Sequence, residues 1–273
     1  MAETETIDTQ ATTPGAHVAS RTGRTPLQNA FRYGAMPLLI AGILGSLYLW
    51  VGAQELDSIE MRQLNADVLT ARTYRHIQLS ALSTIFVLLI AVPVGILVTR
   101  PRFRSLTPYA IGVGNAGQAI PSLGMLALLY VVFRATPFIP STGLIPVTAA
   151  LVGYSALPIL RNTMVGLQQV DESVLESGRG MGLSNSQLLR RIELPLAVPV
   201  VLAGIRTALV LNIGTAALAF LFGGGGLGET IQTGFQLRRT PVLVTGAVLV
   251  GTLALAADYI AGIVEERLTP RGL

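Results

Sequence analysis

The sequence predicts an all-α integral membrane protein with six transmembrane helices. Six apolar stretches of near span length follow one another along 273 residues. The chain is 51% hydrophobic and only 12% charged, where soluble domains carry about 25% charge. Its mean hydropathy of +0.60 disfavours a water-facing globule. The third observation is an uneven sharing of arginine between alternate loops.

Residues 1–35 are polar for most of their length, rich in Thr, Ala and Gly, with Pro14, Pro26, Arg21 and Arg24. Such a stretch builds no core, so it reads as a disordered tail. A signal peptide needs an apolar stretch close to the N-terminus. The first one here begins near Met36, and no cleavage is expected.

A bilayer-crossing helix needs about 20 residues. The first stretch, 36–53, is short, and 77–99 carries no charge and is the cleanest. Stretch 108–133 is long and polar in places, and 142–160 is shorter. Stretch 196–222 contains Arg206, and 242–264 contains Asp258. The expected division is a tail at 1–35, a first helix and outer loop at 36–75, a core at 76–264 and a second tail at 265–273.

Orientation comes from arginine. With the N-terminal tail in the cytoplasm, the inner side holds Arg21, Arg24, Arg32, Arg100, Arg102, Arg104, Arg161, Arg179, Arg190, Arg191, Arg206, Arg267 and Arg271. The outer side holds Arg62, Arg72, Arg75, Arg134, Arg238 and Arg239. The positive-inside rule selects this arrangement, which puts both termini in the cytoplasm.

Cysteine is absent, which removes disulfides, thiolate metal sites and cysteine nucleophiles together. Lysine is absent too, since all 19 basic residues are Arg. A Walker A phosphate loop needs its Lys, so any ATP must be bound by another chain. The net charge of +4 does not point to nucleic acid.

The third stretch holds Gly112, Gly114, Gly117, Gly124 and Pro121. Small residues let helices pack closely in lipid, and a proline there fits a helix buried in a bundle or lining a cavity. Ordinary membrane composition would give the same residues.

The longest inner stretch outside the spans is 162–195. Asp171 can cap a helix over 172–179. Gly180 and Gly182 supply a left-handed turn that ends it. Ser184 with Gln187 forms a capping box, opening a second helix in which Leu188, Leu189 and Ile192 share a face. Pro195 is expected to end it. A bland amphipathic loop would also have an apolar face.

The spacing of this segment resembles a family signature. Permeases of binding-protein-dependent ABC importers carry Glu-Ala-Ala, three residues, Gly, nine residues, Ile, one residue, Leu-Pro. This chain has Glu176-Ser177-Gly178, Gly182, Ile192 and Leu194-Pro195 at the same spacing, with small residues at both Ala positions. The resemblance runs from about His76 to Gly234. Pro121-Ser-Leu-Gly-Met-Leu, Leu157-Pro-Ile-Leu-Arg-Asn-Thr163 and the stretch 214–228 look like the subfamily for glycine betaine, carnitine, choline and proline betaine.

The resemblance implies a type I ABC importer permease bundle, whose short inner helix docks in a groove of an ABC ATPase. It assigns that coupling to Asp171, Glu172, Leu175, Glu176, Gly178, Arg179, Gly182 and Leu183. Closure of two ATPases on ATP and Mg would then draw two such helices together, so the chain needs a second permease copy or paralogue. An extracytoplasmic solute-binding protein would deliver the solute. Glu176 and Gly182 can equally be folding residues.

A solute path should be lined by polar groups of the spans, and Asn115, Gln118, Tyr154, Asn212 and Thr215 are the candidates. Helix-to-helix hydrogen bonding would use the same groups. Aromatic faces hold quaternary ammonium groups well, but the chain is only 6% aromatic. Selectivity is therefore expected to lie mainly in the binding protein. Arg206 and Asp258 are expected to pair structurally or to snorkel separately, because intramembrane charges are costly alone. The glycine run 223–228 with Glu229 is read as a close-packed turn into a short outer helix, 229–237.

Other classes fit less well. A stand-alone channel or secondary transporter should show inverted repeats and matched broken helices, and no convincing repeat is found. A permease for another small solute, such as an amino acid, stays open. A membrane enzyme needs clustered nucleophile, base or metal ligands, yet His17 and His76 are the only histidines.

Overall fold

The computed structural model describes residues 26–136 and 138–269, with side chains from Tyr33 onward. The tail expected at 1–35 lies outside the described residues up to 25, and 270–273 of the second tail does too. The described residues are helical throughout, with short turns between helices. The described residues from Met36 onward form one compact unit.

Helix α1 covers Pro26–Gly52, so helix begins ten residues before the apolar stretch. A short α2 (Ser58–Gln63) comes next, closed by a full capping box between Asp57 and Glu60. Helix α3 (Ala66–Thr99) starts on an Asn65 cap and contains the cleanest apolar stretch. A 3₁₀ turn over Pro101–Leu106 leads to α4 (Thr107–Ala119) and α5 (Ser122–Arg134).

The third expected span is therefore two helices, bent 104° from one another. The break falls at Ile120-Pro121, where Pro121 caps α5 with extended backbone. A proline has no N–H to continue a helix and forces the preceding residue out of helical geometry. Among the described residues, five helices are long and apolar enough to cross a membrane, or six with the bent pair taken as one span.

Helix α6 (Leu144–Gln168) is the centre of the bundle, packed by α3, α4, α5 and α9. Two apolar layers stack along it. One joins Leu79, Met125, Leu126, Val147 and Leu151, and the other Val87, Ala91, Ile159, Leu160 and Met164. Helices α7 (Glu172–Gly180) and α8 (Asn185–Leu188) come after it. A π turn over Leu189–Glu193 then runs directly into α9 (Leu194–Ala216).

Pro195 does not end the second short helix, contrary to the expectation from sequence. It lies in the first turn of α9, directly after the π turn, and 185–216 is one continuous helical run that passes through it. Helix α9 stops short of the expected 222, and a 3₁₀ turn covers Ala219–Phe222. Helix α10 (Gly228–Gln236) packs on α11 (Thr240–Leu268), which also packs on α9.

Candidate coupling site and solute path

The short helix α7 is built by local chemistry. Asp171 accepts the N–H of Ser173 at 2.9 Å and so caps the first turn. That bond holds the Asp171 carboxyl below its usual range, because it favours the charged form. Glu172 and Arg179 pair at 2.7 Å along the exposed side. The far end closes with two nested bonds. Gly182 N–H donates to Arg179 carbonyl at 2.9 Å, and Leu183 N–H donates to Gly178 carbonyl at 3.1 Å. This is a Schellman closure, which needs a left-handed residue next to last. Gly182 supplies it with φ +81°.

Gly180 was expected to share the left-handed turn and does not. It is the last residue of α7, and only Gly182 has positive φ in this segment. Gly178 has a different task. A side-chain carbon placed there would stand 2.6 Å from Leu188 Cδ1 and 3.0 Å from Ile192 Cδ1. The absence of a side chain thus lets α7 lie flat on the α8–π run.

The coupling candidates fall on two faces. Leu175 and Gly178 are buried against the chain's own helices and cannot offer surface to a partner. Glu172, Glu176 and Arg179 are exposed. The Glu176 carboxylate has no hydrogen bond or ion pair among the described residues. Val174 and Met181, which sequence reasoning passed over, are exposed apolar residues on the same elbow, Met181 at 74%.

The path candidates also separate. Asn115 is exposed on α4 and accepts a bond from Arg161 Nη2 of α6 at 2.8 Å. Gln118, Tyr154 and Thr215 are half-buried. Asn212 is fully buried and donates to Thr84 Oγ1 of α3 at 3.0 Å. It stitches α3 to α9 and lies away from any open surface, so the helix-to-helix reading describes it. His76 adds a second stitch, its Nε2 2.9 Å from the Ile213 carbonyl.

Arg206 and Asp258 form a two-point fork between α9 and α11, with Arg206 Nη2 2.5 Å from Asp258 Oδ2. Glu265 stands 3.8 Å from the same guanidinium. At the bundle end opposite α7, Arg72 reaches Glu229 at 3.3 Å and Thr230 at 2.9 Å. Arg75 donates to the Gly224 carbonyl at 2.9 Å, so the glycine run and α10 are tied to the start of α3. Among the described residues no three potential metal ligands gather.

One pair escaped sequence reasoning. Arg100 Nη1 donates to Glu193 Oε1 at 3.0 Å and Nη2 to Oε2 at 2.5 Å. Glu193 sits at the unspecified position of the signature, so the spacing drew no attention to it. A charge only two residues before the Pro of a new span was the signal available.

Membrane-length helices around α6, with a helical elbow between α6 and α9, form a fold shared with solved ABC transporters. A methionine ABC transporter solved in inward-facing form matches with a TM-score of 0.67 at 24% identity, covering 79% of this chain and all of that one. An amino acid ABC transporter matches at 0.65 and 15% identity, covering 78% of this chain and all of that one. These likenesses concern the fold.

Residues 91–270 match the family described as binding-protein-dependent transport system inner membrane component. The choline transport system permease protein OpuBB of Bacillus subtilis is 42% identical over 79% of this chain and 95% of its own length. The glycine betaine/carnitine/choline permease protein OpuCB of the same organism is 39% identical over 77% and 93%. The osmoprotectant import permease protein OsmY of Salmonella typhimurium is 38% identical over 84% and 92%. The chain belongs to this family of inner membrane transport components, and it is a multi-pass membrane permease.

Proposed function

We propose that this chain is the permease subunit of an ATP-driven importer for osmoprotectants such as glycine betaine, carnitine, choline and proline betaine. The observation that carries the reading is the shared naming of relatives near 40% identity over more than nine-tenths of their length. ATP and Mg belong to two ABC ATPase subunits. A second copy or paralogue completes the path, and an extracytoplasmic binding protein delivers the solute. The membrane is the bacterial cell (inner) membrane, with both termini cytoplasmic.

The elbow's chemistry supports this division of labour. Exposed Val174 and Met181 offer apolar contact, and the exposed Glu176 carboxylate offers a partner for a cation. A lever of this kind works only if the ATPase contacts it differently in two states. The Schellman closure and the Gly178 seat make it stiff enough to transmit that difference. The exposed Asn115–Arg161 pair suits a polar path wall facing the second permease, because this chain's own packing leaves both groups open.

The test is reconstitution of the full complex in liposomes. Glycine betaine, carnitine and choline should stimulate ATP hydrolysis and be taken up when the binding protein is present. Stimulation by amino acids alone would overturn the substrate class, and uptake without any ATPase would overturn the whole reading.

A further inference from the structure

We propose that Arg100 and Glu193 are a positioning clamp that makes α3 follow α9 when the elbow moves. The clamp rests on the coupling role proposed for the elbow and deepens it by naming which helix receives the stroke. Glu193 is only 5% exposed, beside exposed Arg190 and Arg191. Both its carboxylate oxygens are held by one guanidinium, at 3.0 and 2.5 Å. A forked contact fixes direction as well as distance, which a single point of charge does not.

Arg100 is equally fixed on its own side. It stands at the C-terminus of α3, where Nε donates to the Ile96 carbonyl at 3.3 Å and Nη2 to Thr99 Oγ1 at 3.4 Å. Among the described residues, no other hydrogen bond or ion pair joins residues 171–193 to α3.

The π turn explains why Glu193 is available. A π turn carries one more residue than an α turn and so rotates the next helical segment around the axis. The turn over Leu189–Glu193 keeps Leu188 and Ile192 under Gly178, leaves Arg190 and Arg191 in the open, and still buries Glu193 against Arg100. The helix then continues into α9 without a break.

Connectivity sets the mechanical consequence. Movement of α7 is passed by packing at Gly178 to the π turn, and the covalent chain carries it into α9. Helix α3 has no direct connection along the chain to this segment, and the fork ties the two non-covalently. Farther along, Thr84–Asn212 and His76–Ile213 join the same two helices. Three polar ties thus hold α3 and α9 in register from the elbow to the opposite end.

The experiment uses this permease with its ATPase and binding-protein partners, reconstituted in liposomes, with glycine betaine and choline as probes. The readout is solute moved per ATP hydrolysed. E193Q and R100Q should lower that ratio at least fivefold in complexes of unchanged assembly mass. R100K, which keeps the charge and loses the fork, should fall between. The exchange R100E/E193R should restore at least half of the ratio, and should E193Q fail to assemble, R100K carries the test. A wild-type ratio in E193Q overturns the clamp, and so does a parallel fall of uptake and hydrolysis at constant ratio in every variant. A wild-type complex that moves neither solute and shows no stimulated hydrolysis overturns the transport reading itself.

Discussion

Leu183 closes the elbow by donating its backbone N–H to the carbonyl of Gly178, 3.1 Å away and five residues back. The bond exists because Gly182 between them takes φ +81°. An L-residue in that conformation costs roughly 1–2 kcal/mol, while Asn tolerates it better. Nothing stands within 4 Å of a side-chain carbon placed at Gly182, so the penalty is conformational and not steric. Gly182→Val should therefore uncouple transport from ATP hydrolysis, and Gly182→Asn should retain most coupling. Solute-stimulated ATPase activity of the two variants checks this. Normal coupling in Gly182→Val would show that the elbow's closure is not what transmits force.

Asp171 sets the other end of the elbow. Its carboxyl lies below the usual range because it accepts the Ser173 N–H in its charged form. A depressed carboxyl stabilises the fold above its unfolded pKa, and that contribution is lost as pH falls through the folded value. The cap is thus fully formed at neutral pH and fails only in acid, below the ordinary 3.8 of an aspartate. Amide exchange of residues 172–180 should be slow and flat from pH 8 to 5, after correction for intrinsic rates. Asp171→Ala should speed it across that range, while Asp171→Asn, itself a good cap, should not.

Much of this architecture was legible because membrane physics writes it in composition. Length and hydropathy located five of the spans, since a lipid-facing helix must be apolar along its whole length. The capping residues Asp171 and Ser184 were legible because caps are local chemistry. The 104° break at Pro121 was not resolved, since apolar content continues across it and only backbone geometry changes. The π turn was hidden for the same reason, and Pro195 looked like a stop although the helix runs through it. Asn212 and Asn115 look alike in sequence, yet one is sealed against Thr84 and the other lies open beside Arg161. That distinction depends on helix rotation, which an apolar pattern around the full circumference does not specify.

Sidedness has a direct test, because the chain contains no cysteine. Met181 is 74% exposed on the elbow, and Phe235 is 70% exposed near the end of α10. Single cysteines at these positions should react with a membrane-impermeant maleimide from opposite sides. Met181→Cys should label only in inverted vesicles or opened cells, and Phe235→Cys in intact spheroplasts. Labelling of Met181→Cys from outside would invert the topology and remove the ATPase contact.

The fork between Arg206 and Asp258 joins α9 to α11 within the membrane-length part of both helices. Each side chain is partly open, at 40% and 28%, so screening weakens the pair relative to a sealed one. Removing one partner still leaves a charge in an apolar setting, which should cost about 1–3 kcal/mol. Glu265, 3.8 Å from the same guanidinium, can take over part of the role when Asp258 is lost. Asp258→Asn should therefore lower the thermal midpoint in detergent less than Arg206→Gln, which strands two carboxylates. Arg206→Gln with Asp258→Asn should be milder than the sum of the singles, because the double change leaves only Glu265 unpaired. Strict additivity in that cycle would mean that the two groups meet without stabilising one another, and that α9 and α11 are held by packing alone.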